Sequence, residues 1–220
     1  MPEMGLYEAM STLRAVRRLR PGPIGAGVLH RVLEAATWAP TGGNVQPWRV
    51  IVVKDTAKRA ALGKLYAERW AHYSAGHRRM IADAPAEAKA AAEKMLSAGD
   101  YLAAHFGAAP VTAVFCFNPV HMAITDAKLG RVSVVGGASI YTAVENFLLA
   151  CRAEGLGCTL TTLLCEVEAE VRELLAIPEP WGTACAVPIG WPLLRGHGPI
   201  SRRPVEKLAF LDGWGTKYQA

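Results

Sequence analysis

Three observations place the chain in the α+β class. Helical patterns interleave with only three or four strand-like runs, and those runs do not alternate with helices as a doubly wound sheet demands; no internal repeat is visible. With 220 residues the chain can bury one sizeable core, so a single domain over residues 1–220 is expected.

The elements follow in order. Leu6, Met10, Leu13 and Val16 recur at helical spacing until Pro21, which predicts a first helix over residues 6–19 ending in Arg14, Arg17, Arg18 and Arg20. Val28, Leu29, Val32, Leu33 and Ala36 predict a short second helix over 28–37. The loop formers of residues 39–47 then lead directly into WRVIVV, a strand bounded by Asp55. Residues 56–72 and about 85–105 read as helices, and 66–107 as a lid or insertion. VTAVFCF, residues 111–117, is a buried strand. Residues 134–154 carry the most apolar helical pattern, with Ile140, Val144, Phe147, Leu148 and Cys151 on one side, which suits a central or an interface helix. CTLTTL is a short strand or turn. Glu166, Glu168 and Glu170 suit the positive end of a following helix that closes at Pro178. ACAVPIGW, residues 184–191, is the last strand, and 192–220 is an extended arm with little of its own subunit to bury against.

Composition excludes several classes. Hydrophobic residues make up 51% and charged residues 20%, and no charge-free apolar run approaches the ~18 residues that span a bilayer. The first twenty residues lack the apolar core and cleavage site of a secretory signal, so a soluble cytoplasmic protein is expected. Five cysteines, with no C-x-x-C pair, read as buried reduced thiols, and no metal-ligand spacing is present. The net charge of +5 is scattered in small groups, which argues against a nucleic-acid partner. Gly25-Ala-Gly27 lacks the third glycine of a dinucleotide fingerprint, and Ser139 lacks the second glycine of a nucleophile elbow.

What remains has anion-binding and hydrogen-bonding character. Arg14, Arg17 and Arg18, at i, i+3 and i+4, would gather on one side of the first helix and fork onto phosphate oxygens, or else simply complement the helix end. Arg202 and Arg203 form a second basic group, in an arm with no helix to stabilise. Thr41-Gly-Gly-Asn44-Val-Gln46-Pro-Trp48 offers amides, a hydroxyl and bare backbone to the edge of a polar heterocycle, or forms a plain turn.

Taken together these pieces resemble the FMN-dependent nitroreductase family. Leu13-Arg-Ala-Val-Arg-Arg-Leu19 is similar to its R-R-S-x-R-x-F element, and Ala39-Pro-Thr-Gly-Gly-Asn-Val-Gln-Pro-Trp48 to its A-P-S-x-x-N-x-Q-P-W loop, the most specific match. Glu145-Asn146 with Gly155-Leu-Gly157, and Ser201-Arg-Arg-Pro-Val-Glu206, resemble two further segments, so the likeness spans roughly residues 6–215. The resemblance implies an α+β sandwich with a mostly antiparallel central sheet, and a homodimer exchanging extended arms around FMN. It implies NAD(P)H as reductant and a nitroaromatic, quinone or activated alkene as acceptor. Arg14 and Arg17, with the backbone at Ala15, would hold the phosphate and the ribityl or pyrimidine side. Thr41 and Asn44 would contact the flavin, Thr162 and Leu163 would present backbone to the ring edge, and Arg202 or Arg203 would close on the phosphate. No catalytic side chain is required. Ala15 stands where the family has a serine, but a lost hydroxyl contact of ~1 kcal/mol is outweighed by arginine bonds of ~1.5 to 3 kcal/mol each. Two alternatives stand beside this one: an FMN-consuming, ring-cleaving enzyme that makes dimethylbenzimidazole, and a flavin-binding protein without turnover.

Overall fold

Val111–Phe117 and Gly182–Pro192, the two most continuously apolar strands, lie side by side in one sheet. In the computed structural model, which describes residues 4–218, the strands are β1 (Leu19–Arg20), β2 (Trp48–Val53), β3 (Val111–Phe117), β4 (Gly157–Cys158) and β5 (Gly182–Pro192). Their order is β1-β5-β3-β2, with β4 on the edge of β5 that also carries β1. Every paired strand is antiparallel. The β3–β5 register shifts between Phe115 and Cys116, where Ala184 of β5 is an extra residue, so Ala184 and Cys185 pack on the same face while β3 keeps its alternation.

Helices cover both faces, which is why β3 is apolar at nearly every position rather than at alternate ones. On one face α2 (Ala26–Thr37) and α5 (Ala138–Ala153) pack Val32, Ile140, Val144 and Phe147 against Val111, Ala113, Phe115, Val187 and Ile189. On the other, α3 (Thr56–Met80), α4 (Ala86–His105) and α6 (Glu168–Leu175), with Phe106 in the turn after α4, set Leu62, Tyr66, Leu96, Phe106 and Val171 against Val114, Cys116 and Ala186. Residues 66–107 are thus the distal part of α3 and all of α4, an antiparallel pair. They close tightly: a Cβ on Gly99 would run into the Trp70 ring. Trp70 Nε1 donates to Asp100 (2.7 Å), and Arg78 pairs with the same carboxylate (2.7 Å), which carries α3 past the residue-72 end its sequence pattern suggests.

The first helix is shorter than its periodicity predicts. α1 spans Leu6–Thr12 only, and Leu13 is already extended (φ −64°, ψ 119°). Sheet pairing wins over helix continuation: Val16 N–H donates to Cys158 O (2.9 Å), Thr159 Oγ1 donates to Val16 O (3.0 Å), and Val16 is buried. Arg14, Arg17 and Arg18 therefore lie on an extended segment and share no helix face.

Beyond β5 the chain runs as an arm. From Leu193 to Tyr218 it exposes Leu194, Val205, Leu208, Leu211 and Trp214, the last at 94%. None of the described helices is long and apolar enough to cross a membrane. The five cysteines are unpaired, and burial pushes Cys116 up to about 11 and Cys185 to about 12, which suits packing rather than chemistry.

Candidate functional site

Three neighbouring cavities are linked in series, the first to the second by Arg17 and the second to the third by Thr162. The first, of about 380 Å³, is lined by Leu13, Arg14, Ala15 and Arg17 from the N-terminal segment and by Pro199, Ile200, Ser201 and Arg202 from the arm. No carboxylate lines it. Arg14, Arg17 and Arg202 form no ion pair among the described residues, so three guanidiniums and a hydroxyl are left to meet an anion. Arg203 is exposed and stands outside the wall. Arg18 turns away, its guanidinium 3.9 Å from the centre of the Tyr101 ring.

Arg17 also lines the second cavity, of about 240 Å³, with Tyr66, Trp70 and Tyr73 of α3, Met95 of α4, and residues Thr159 to Leu163. Tyr66, Trp70 and Tyr73 recur at i, i+4 and i+7, so one face of α3 presents an aromatic wall. Burial raises the Tyr66 phenol above its ordinary pKa, against the opposing effects of Thr161 and Arg17. The Thr162 amide donates no hydrogen bond among the described residues, whereas Leu163 N–H reaches Thr161 Oγ1 at 3.3 Å.

Thr162 in turn borders the third cavity, of about 400 Å³, walled by Phe117, Met122, Ile124, Ile140, Tyr141 and Cys165. This one is apolar and carries no charged side chain. Met122 and Ile124 precede a loop organised by the buried Asp126, which accepts from Ser133 Oγ (2.7 Å), Arg131 (2.8 Å) and Val134 N–H (3.1 Å). Those bonds, Ser133 foremost, hold its carboxyl below the usual range. Cys165 donates to the Thr183 and Ala184 carbonyls (3.3 and 3.4 Å), and burial raises its pKa, so it is a poor nucleophile.

Thr41 and Asn44 line none of these three cavities. Their loop is pinned to the start of α5 instead, Gly42 N–H donating to Ser139 Oγ (3.1 Å) and Thr142 Oγ1 to Pro40 O (3.3 Å). Within it, Gln46 N–H donates to Thr41 Oγ1 (3.0 Å), and Asn44 and Gln46 hold left-handed φ of 54° and 51°. Non-glycine residues in that region store about 1 kcal/mol or more each, the kind of strain that collects at functional loops.

A model of the Nitroreductase family matches residues 12–191. The chain belongs to the nitroreductase family. This nitroreductase-family chain is 33% identical over 202 residues to the 5,6-dimethylbenzimidazole synthase of Rhodobacter capsulatus, across 90% of this chain and 88% of that one. A shorter stretch of 62 residues is 42% identical to a Thermus thermophilus NADH dehydrogenase, spanning 28% of this chain and 30% of that protein. The structure of the NADPH:FMN oxidoreductase from Vibrio harveyi, complexed with NAD+, superposes with a TM-score of 0.66 at 18% identity, covering 98% of this chain and 78% of that one. The family match stops before Ser201 and Arg202. The sequence missed Tyr66, Trp70, Tyr73 and Ser201 as wall residues, although the α3 aromatics carried a signal in their helical spacing.

Proposed function

We propose that the chain is an FMN-dependent oxidoreductase that works as a homodimer, taking hydride from NAD(P)H and passing it to a small acceptor such as a nitroaromatic, a quinone or an activated alkene. One observation carries this reading: three unpaired arginines, Arg14, Arg17 and Arg202, converge from the two ends of the chain on one cavity, and Arg17 joins it to a second with aromatic walls. The donor set fits the group. A phosphate would sit among the arginines and Ser201, a lining residue that carries a hydroxyl where Ala15 has none, and a planar ring would lie against Tyr66 and Trp70.

When bound, FMN supplies the hydride chemistry between nicotinamide and acceptor. The chain's residues position and shield. Arg17 would set positive charge against the ring's pyrimidine side, and Thr162 would offer its uncommitted amide to the ring edge. The α3–α4 pair would exclude water from one side. Thr41 and Asn44, which line none of these cavities in a single chain, would complete the site of a second subunit. The exposed apolar arm and an apolar groove of about 700 Å³ lined by Leu6, Ala9, Trp38, Leu149, Ala150 and Ala153 are surfaces that such a dimer would bury.

The experiment is a fluorescence titration of FMN with the wild type and with Arg14→Ala, Arg17→Ala and Arg202→Ala, each beside a thermal melt of the apo protein. Weaker FMN binding with an intact fold supports the reading. Unchanged affinity in all three sinks it, and NAD(P)H must bleach the bound flavin. The 33% identity to a dimethylbenzimidazole synthase favours one second reading, in which the same site consumes reduced FMN and oxygen. Dimethylbenzimidazole in the product mixture would decide for it.

A further inference from the structure

The arm does more than pass by the N-terminal segment. Leu193 N–H donates to Arg18 O (2.9 Å), Gly198 N–H to Thr12 O (3.0 Å) and Ile200 N–H to Ser11 O (3.3 Å), continuing the pairing of β1 with β5. Between the first two bonds the main chains separate, and a side chain bridges the gap. Arg14 N–H donates to His197 Nδ1 at 3.4 Å, and His197 Nε2–H donates to Leu156 O at 2.8 Å. Both ring nitrogens are thereby used. The pattern requires a neutral ring, because Nδ1 accepts only when it carries no proton. His197 is 8% exposed, and burial holds its pKa below 6.5, with the cations Arg152 and Arg14 acting in the same direction. Gly196, at φ +70°, turns the arm into this position, since a Cβ there would meet the Pro192 ring at 2.8 Å.

The bridge adjoins the arginine cavity through Arg14. Arg14 supplies one wall, and Pro199 to Arg202, two to five residues past His197, supply the other.

We propose that His197 is the positioning residue of this cavity: by tying the Arg14 backbone to Leu156 it fixes the span between Arg14 and Ser201–Arg202, and so sets how well they grip a phosphate. The inference rests on the reading of the cavity as the FMN phosphate site. A purely structural pin would weaken every ligand alike, or only the fold; a positioning residue acts on the phosphate alone.

FMN and riboflavin, which differ only by the phosphate, separate the two. Both are titrated by fluorescence into the wild type, His197→Leu and His197→Gln, with thermal melts of each apo protein. Wild type is expected to prefer FMN. His197→Leu, which lacks donor and acceptor, is expected to raise the FMN Kd about tenfold and leave the riboflavin Kd within about twofold. His197→Gln, whose neutral carboxamide carries both, is expected to restore most of the FMN affinity. Should the leucine variant fail to fold, His197→Asn, too short to span to Leu156, is expected to weaken FMN several-fold with riboflavin unaltered. Equal weakening of both ligands, or no change in either, overturns the inference. No preference for FMN in the wild type overturns instead the phosphate reading on which it stands.

Discussion

The arginine cavity and the apolar cavity are joined through the aromatic one, which shares Arg17 with the first and Thr162 with the other, yet they are made of different material. The first is walled by extended backbone from the two chain ends, and its side chains stand in solvent or face the void. The second is walled by residues of the hydrophobic core itself: Ile140 is 3% exposed and packs with Val144, Phe147 and Phe115. Affinity and stability should therefore separate in the first and run together in the second.

The strongest attempt to break that contrast is Ile140→Ala. Truncation of a buried isoleucine should cost about 2 to 5 kcal/mol of stability in urea unfolding, with FMN affinity in the surviving folded protein unchanged. Arg17→Ala should do the reverse, raising the FMN Kd about ten- to hundredfold while moving stability by less than about 1 kcal/mol. A melt that fell as far as the affinity would mean that Arg17 is structural. Tyr141→Phe sharpens the boundary: its hydroxyl donates to Ala184 O at 3.1 Å, and losing it should cost about 1 kcal/mol with FMN binding untouched. A flavin effect would extend the cofactor site into the apolar cavity.

A smaller effect concerns pH. His197 has a folded pKa below its ordinary 6.5, so the unfolded chain binds the proton more readily. The apo protein should hold its stability above about pH 6.5 and lose it as pH falls from there through the folded value, a slope that His197→Gln should flatten in melts taken across that range.

Sequence pattern made much of this legible. β2 and β3 stood out at their full lengths because apolar runs bounded by turn formers admit few other states, and α5 because its buried stripe is unbroken. β1 and β4 are two residues each, too short to carry any period, and both depend on β5 more than 30 residues ahead. The overlong first helix has a related cause. Leu13 and Val16 fit a helical stripe, but Val16 is buried by pairing with Cys158, and a local period cannot register a partner so distant. Arg14 and Arg17 still meet at one cavity, by way of an extended segment instead of a helix face. Ser201 and His197 were out of reach for the same reason, since the partner of His197 at Arg14 lies 183 positions away.

That separation bears on synthesis. A cavity with one wall from residues 13–17 and the other from 199–202 does not exist until nearly the whole chain has left the ribosome, and closing so long a loop is among the slower contacts a chain of this size makes. The sheet and its helices can assemble from residues up to Pro192 beforehand. Capture of a phosphate-bearing cofactor would then mark the end of folding: a chain cut short in the arm would keep its core and remain colourless, its two ends never having met.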